Sequence, residues 1–352
     1  MSSINNQKSM LLDDGFNGFS LVWKMNKMKL DLKFPWKIAR GECREKTNFI
    51  VELGDEKFKG KGEVAFNKRY DENEDKIRIG FESFLKNKPS EIDSVKKLYH
   101  CLDNLEIPSS LRFGIESAFY DYISRVSGKN IFELLGINSI RTIPTSFSIP
   151  IMKVGEIKGF IEKYKLNRFK FLKLKIDEEG SEEKIKELMK NFDGQIRLDA
   201  NESFDNPDEV IKFVKGINEL NRIQFIEQPL PAHLHDEALY LKKKLNLEIV
   251  ADESITDQEI TEYYKNRFDG INIKLMKSGG YLKAMKQIND SKKLGLKVMV
   301  GCMIETSLSI SAAMVIAKGA DYIDLDGCLL IKDDPFSFLG EENGRLIKSS
   351  LQ

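Results

Sequence analysis

The sequence predicts an α/β fold: a (β/α)8-type barrel with an α+β domain at its N-terminal side. Three observations predict it. First, from Thr142 onward short apolar runs alternate with helical patterns, giving strand candidates at Ile143–Ile149, Phe169–Ile176, Gln195–Ala200, Ile223–Gln228, Glu248–Glu253, Gly270–Leu275, Lys297–Cys302 and Tyr322–Gly327. Eight strands, each separated from the next by a helix, are the pattern of a parallel barrel. Second, successive runs end on charge, at Lys175, Asp199, Glu227, Asp252 and Lys274, with spacings of 22 to 28 residues, the length of one strand–helix unit. Third, before Thr142 strands come first and helices follow, the order of an α+β domain. A chain of 352 residues is long enough for a barrel plus a smaller domain.

Taken in order, residues 1–21 are rich in Ser, Asn, Gly and Asp and read as a loose extension. Residues 22–141 form the α+β domain. Trp23–Phe34 and Asn48–Gly54 read as strands, and the polar Ala39–Thr47 between them as a loop with Gly41 at a turn. Glu72–Lys86 and Glu91–Leu102 are amphipathic. Ser109–Ser127 reads as a helix capped by Ser109 or Ser110, with Leu111, Ile115, Ala118 and Tyr122 on its buried face. Residues 142–330 form the barrel. Ser181–Phe192, Pro207–Ile217 and Gly280–Leu294 are among its helices, with Asn206 as cap and Pro207 in the first turn. After the eighth strand, DDPFSFLGEENG reads as loop, and residues 331–352 are expected to return to the first domain.

Composition excludes several classes. Charged residues are 31% and balanced to a formal net charge of +0, which leaves no electrostatic footprint for nucleic acid or a membrane surface. No apolar run spans a bilayer and no signal-peptide pattern opens the chain. Cys43, Cys101, Cys302 and Cys328 are scattered, which argues against a zinc site or a disulfide scaffold. The expectation is a cytoplasmic protein with reduced thiols, without nucleic-acid or membrane partners, and a homo-oligomer.

The strand-end charges carry the chemistry. Strand C-termini gather at one mouth of a barrel. Asp199, Glu227 and Asp252 end the third, fourth and fifth strands, and three converging carboxylates repel unless a cation separates them. All-oxygen ligation suits Mg²⁺. Lys173 and Lys175, two apart in FKFLKLKID, point to one side of the second strand, and Lys274 ends the sixth. Lysines on opposite sides of a metal site can take a proton from one face of a carbon and return one to the other.

Five motifs now carry a resemblance: Lys173-Leu174-Lys175, Asp199-Ala200-Asn201, Glu227-Gln228-Pro229, Ala251-Asp252-Glu253-Ser254 and Ile273-Lys274-Leu275-Met276-Lys277. Together and in order, the chain resembles the enolase superfamily and its muconate-lactonising-enzyme subgroup over about residues 22 to 345, with residues 22–141 as the family's capping domain. The resemblance implies Asp199, Glu227 and Asp252 as Mg²⁺ ligands and Lys175 and Lys274 as the acid/base pair. It implies Lys173 as the lysine that helps hold a carboxylate near the metal. Asp324-Leu325-Asp326 at the eighth strand resembles the pair with which dipeptide epimerases bind the α-ammonium of their substrate. Without that resemblance the pair reads as a polar strand end neutralised by a nearby cation. The implied activity is epimerisation at the second residue of a dipeptide. The alternatives are another enzyme of the subgroup (N-acylamino-acid racemase, o-succinylbenzoate synthase or cycloisomerase) or, last, a non-catalytic binding protein on the same scaffold.

The remaining features have plainer readings. Ser148, Cys302 and Met303 are expected to line the pocket. Arg40, with Arg44 and Lys46, lies in a loop which in this family folds over the barrel mouth; it selects an acidic substrate residue or is a solvated charge. Glu253 is expected to hydrogen-bond behind the metal site. His233 and His235 are read as loop residues, and Gly279-Gly280 as a tight turn rather than a phosphate cradle.

Overall fold

The computed structural model describes residues 21–177 and 180–349. The expected loose extension therefore lies outside the described residues except for its last position. The contacts divide the chain into two units: residues 1–29, 47–140 and 275–283, and residues 30–46, 141–274 and 284–352.

β1 (Val22–Ile38), β2 (Gly41–Gly54) and β3 (Lys59–Val64) form a three-stranded sheet in that order, and the first unit holds β3 and the parts of β1 and β2 outside residues 30–46. The loop expected at Ala39–Thr47 is instead a two-residue turn, and β2 begins at Gly41. A hairpin partner supplies ladder hydrogen bonds whatever the side chains are, so an exposed polar ribbon carries no alternation for a sequence reading to find. The helices α1 (Glu74–Asn87), α2 (Val95–Asp103), α3 (Ser109–Ser127) and α4 (Ile131–Leu134) follow. α3 packs directly on β3, and glycine makes this possible: a Cβ at Gly62 would stand 2.1 Å from the Gly114 carbonyl oxygen. Neither serine caps α3. Its N-cap is Pro108, and the Ser110 N–H donates 3.1 Å to Glu72 Oε1. α3 is buried almost all round rather than on one face, because β3 and the short helix Leu275–Ser278 both pack against it.

The second unit is the barrel. β4 (Thr142–Pro144) and β5 (Ser146–Ile149) divide the single strand expected at Ile143–Ile149. β4 pairs antiparallel with β14 (Arg345–Lys348), itself paired with β13 (Leu339–Glu342). β5 instead joins the barrel, and Thr145 marks the switch by donating its N–H 3.0 Å to the Gly344 carbonyl oxygen. The barrel continues through β6 (Phe171–Lys175), β7 (Gln195–Asp199), β8 (Ile223–Glu227), β9 (Glu248–Ala251), β10 (Gly270–Ile273), β11 (Lys297–Gly301) and β12 (Tyr322–Asp324), each parallel to the next. Between them run α5 (Ile157–Lys163), α6 (Ser181–Asn191), α7 (Pro207–Gly216), α8 (His235–Lys244), α9 (Glu262–Lys265), α10 (Leu275–Ser278), α11 (Tyr281–Lys293) and α12 (Ser307–Ile316). Asn206 caps α7, with Pro207 opening it, as the sequence indicates.

β12 meets β5 through side chains rather than a ladder. Ser146 Oγ donates 2.6 Å to Asp324 Oδ1, and the Leu325 N–H donates 2.8 Å to Thr145 Oγ1. Below the mouth, Phe225, Val250, Met299 and Tyr322 pack as one cluster. The chain from Ile331, expected to return to the N-terminal domain, groups with the barrel. It forms the β13–β14 hairpin on β4, and the Lys332 N–H donates 2.8 Å to the Asp31 carbonyl oxygen in the middle of β1. Leu30–Lys46 belongs to the barrel for the same reason. Among the described residues no helix is long and apolar enough to cross a membrane, and all four cysteines are free.

Candidate active site

Parallel register sets out the site. Lys175 on β6 pairs with Asp199 on β7, and Asp199 with Glu227 on β8, so these three form one row at the strand ends. Asp252 follows β9 directly and Lys274 follows β10. The side chains are buried, with Asp199 and Glu227 at 0% exposure. The backbone after two of these carboxylates is strained: Asn201 (φ 45°), Glu202 (φ 68°) and Gln228 (φ 36°) all lie in the left-handed region. Gln228 repays this by accepting the Asp252 and Ser254 N–H groups on Oε1, at 3.0 Å each, which fixes the next strand end.

Each cation takes a distinct place. Lys173 Nζ lies 2.8 Å from Asp199 Oδ2, 2.7 Å from Glu227 Oε2 and 2.7 Å from Asp324 Oδ2, and donates a hydrogen bond to Asp324. Lys175 Nζ lies 2.5 Å from Asp199 Oδ2 and 5.8 Å from the centre of the Trp36 ring. Lys274 Nζ donates 2.8 Å to Asp252 Oδ2. The two lysines assigned to acid/base work thus meet different carboxylates, from the second and sixth of eight strands.

Burial and charge compete at Lys173, Lys274 and Asp199 and act together at Glu227. Burial lowers the Lys274 ammonium, but Asp252 and Glu227 outweigh it and hold it above the ordinary lysine range. Lys173 is raised for the same reason by Asp199, Asp324 and Glu227. Burial raises the carboxyl of Asp199, yet Lys173 and Lys175 overcome this and hold it below the usual range. Burial and then the Asp199 charge push Glu227 up to about 7. At Lys173 and Lys274 the carboxylate charge around the ammonium outweighs desolvation.

The donor set fits a hard divalent cation. Asp199, Glu227 and Asp252 offer only oxygens, and Glu227 Oε2 makes no well-directed hydrogen bond although Lys173 lies close by. In this arrangement the Lys173 ammonium bridges two of the three. Among the described residues no three His, Cys, Asp or Glu side chains stand in metal-cage geometry.

The two aspartates of the eighth strand differ. Asp324 is the last residue of β12 and is tied to Lys173 and Ser146. Asp326 lies beyond the strand, at the cap of the 3-10 turn Gly327–Leu329, where its Oδ2 accepts the Ser148 N–H at 2.6 Å. Burial and then the Asp324 charge push its carboxyl up to about 7. Ser148 thus meets Asp326 with its backbone N–H and its side chain. Cys302 Sγ donates 3.3 Å to the Asp324 carbonyl oxygen, and burial pushes its thiol well above the ordinary range. Met303 follows in the same loop, with its N–H on Glu305 Oε1 at 2.7 Å.

Arg40 is exposed at the hairpin turn and is also paired within the protein. From the hairpin turn its Nη2 meets Glu253 Oε1 at 2.7 Å, and its Nη1 donates 2.8 Å to the Asn201 carbonyl oxygen and 3.2 Å to Glu202. Glu253 also accepts from Asn201 Nδ2 at 3.2 Å, consistent with its expected place behind the ligands. His235 opens α8 and bonds Tyr263 through Nδ1 at 2.5 Å. Sequence reasoning missed Asn272, whose Nδ2 donates 2.8 Å to Glu227 Oε1. It also missed Arg197, whose buried guanidinium lies against Phe171, Phe225 and Tyr322 and bonds Ser146 Oγ at 3.1 Å. A polar residue inside an otherwise apolar strand run was the available signal for both.

With this geometry in place, comparison with known proteins is specific. The family described as Enolase C-terminal domain-like matches residues 156–336. The L-Ala-D/L-amino acid epimerase of Pedosphaera parvula is 32% identical over 309 residues, 84% of this chain and 86% of that one. The chain belongs to the enolase superfamily. The L-Lys-D/L-Arg epimerase of Methylococcus capsulatus is also 32% identical, over 255 residues, 69% of this chain and 71% of that one. The dipeptide epimerase of Enterococcus faecalis, solved with Mg and the dipeptide L-Leu-L-Tyr, superposes with a TM-score of 0.82 at 25% identity, over 94% of this chain and 98% of that one. These relatives are named as epimerases, and the two of equal identity differ in the dipeptide they are named for.

Proposed function

We propose that the protein is a Mg²⁺-dependent dipeptide epimerase that inverts the Cα of the C-terminal residue. The carrying observation is the placement of Lys175 and Lys274 on the second and sixth barrel strands, each hydrogen-bonded to a different carboxylate of Asp199, Glu227 and Asp252. Those three carboxylates would hold the cation, which when bound polarises the substrate carboxylate and takes up the charge that develops as the neighbouring carbon loses its proton. One lysine, as the free amine, takes the Cα proton from its face. The other, as the ammonium, delivers a proton to the opposite face, so the configuration inverts and no bond of the peptide is broken. Lys173 contributes an ammonium beside the developing negative charge. Asp326, whose Oδ2 accepts the Ser148 N–H, receives the substrate ammonium, and Asp324 orients Lys173.

The dipeptide's side chains stay open, since Arg40 is engaged by Glu253 and Glu202. One observation favours a second reading: the ion pair of Asp324 with Lys173 removes half of the expected ammonium site, as suits an N-acylamino-acid racemase. The test is a dipeptide library incubated in D₂O with Mg²⁺ and read by mass spectrometry. The proposal expects uptake of one deuterium at Cα in a subset of free dipeptides. Exchange confined to N-acyl amino acids would replace it with the second reading.

A further inference from the structure

We propose that Glu116 is a positioning residue for Lys274, holding the chain just downstream of that lysine through the N-terminus of α11. The inference rests on the acid/base assignment of Lys274 above.

The chain passes from the barrel unit into the other unit immediately after Lys274 and returns to it at Ala284. Within that excursion α10 packs on α3, and hydrogen bonds hold the chain on either side of the glycine pair. Met276 Sδ accepts the Ala65 N–H at 3.4 Å. Six residues on from Lys274, Gly280 gives way to α11, whose first N–H, from Tyr281, donates to both Glu116 oxygens at 3.1 and 3.0 Å. The Leu282 N–H reaches the same carboxylate. The glycine pair that resembles an anion cradle is therefore filled by the protein's own anion. Gly280 (φ +142°) must be glycine there, because a Cβ would stand 1.6 Å from Glu116 Oε2.

This is a costly way to start a helix. A serine or aspartate cap would serve at less expense, whereas Glu116 is fully buried and comes from α3. Burial pushes its carboxyl up to about 7, even with the Tyr99 hydroxyl donating to it and Arg112 nearby. The Tyr281 ring is gripped as well, edge-on to Phe113 at 5.7 Å and Tyr120 at 5.4 Å. What the arrangement gains is a fixed path for the short segment that leads back to Lys274, and proton transfer is sensitive to displacements of about 1 Å.

The experiment uses Glu116→Gln, which turns an amide NH₂ toward the Tyr281 N–H, and Gly280→Ala, which displaces the carboxylate from the other side. Each epimer of a dipeptide turned over by wild type is incubated separately in D₂O. Exchange at the face served by Lys274, identified with Lys274→Ala, should fall by about tenfold to a hundredfold, and exchange at the Lys175 face should stay within about twofold. Equal loss at both faces, or no loss at either, overturns the proposal. A second measurement needs no substrate: reductive methylation of the Mg²⁺-loaded protein, read by peptide mass spectrometry, should label Lys274 faster in both variants and leave Lys173 and Lys175 unchanged. If wild type exchanges no dipeptide, the proposed function falls and the labelling alone decides, unchanged Lys274 labelling sinking the positioning role. Loss of the fold in both variants would also overturn it, since the contact would then be a general support.

Discussion

Asp324 and Asp326 are two residues apart, equally buried and identical in chemistry, yet the fold gives them different tasks. Asp324 ends a strand and meets the Lys173 ammonium, which outweighs burial and holds its carboxyl below the usual range. Asp326 has left the strand and meets a backbone N–H, and the Asp324 charge beside it adds to burial to raise it. One carboxylate is built into the site's own ion-pair network. The other accepts a backbone N–H, and it is the one to which the proposed function gives the substrate ammonium. The same contrast runs through the whole mouth, where Asp199 is held down by two lysines and Glu227, beside it, is pushed up.

The comparison breaks most completely at Asp199, the carboxylate shared by two lysines. Asp199→Asn should lower activity by on the order of 10²–10³ and weaken Mg²⁺ binding measured by calorimetry, with the circular dichroism spectrum kept. Full activity after chelation and Mg²⁺ titration would remove the metal-site assignment. Next come the paired lysines. Lys175→Ala and Lys274→Ala should each abolish epimerisation, a loss on the order of 10²–10⁴, while one epimer in each case still exchanges its Cα proton in D₂O. Wild-type exchange of both epimers by both variants would end the two-base assignment.

The aspartates themselves can be told apart. Asp326→Asn should cost roughly ten- to a hundredfold in kcat/KM on a free dipeptide, from about 1.5–3 kcal/mol for a charge-assisted hydrogen bond, and little on its N-acetyl form. Asp324→Asn should slow both substrates alike, because it disturbs Lys173. A free-amine preference that survives in Asp326→Asn would move the ammonium site elsewhere.

The smallest effect concerns the buried carboxyl of the N-terminal unit. Glu116 is raised by burial from 4.5 to about 7. Between these values the folded state keeps a proton that the unfolded chain has lost, so stability is greater below about pH 4.5, falls as pH rises, and levels off above about pH 7. The span is on the order of 3 kcal/mol. Urea midpoints across pH 4–8 should show this slope in wild type and less of it in Glu116→Gln. An identical slope in both would assign it to other groups.

Much of the site was legible in the sequence because barrel strands report it directly. A buried strand end has no reason to be charged, so Lys175, Asp199, Glu227, Asp252 and Lys274 stood out at the spacing of strand–helix units. The helix starts at Ser109, Ser181 and Pro207 were legible too, since periodicity and turn chemistry are local. Asn272 and Arg197 did not stand out. Each sits inside a strand run, and its meaning depends on a neighbour 45 or 51 residues away.

The sequence by itself determined the barrel, the order of its strands and which charges reach its mouth, because alternation and strand-end position are properties of short stretches. Tertiary structure decided how those charges pair. It gave Asp324 to Lys173 and left Asp326 to Ser148, drew Arg40 onto Glu253, divided the strand at Thr145, and filled the Gly279-Gly280 turn with Glu116. Ion pairing falls off over a few ångströms, and which groups come within that distance is set by register and close packing between segments far apart in the chain.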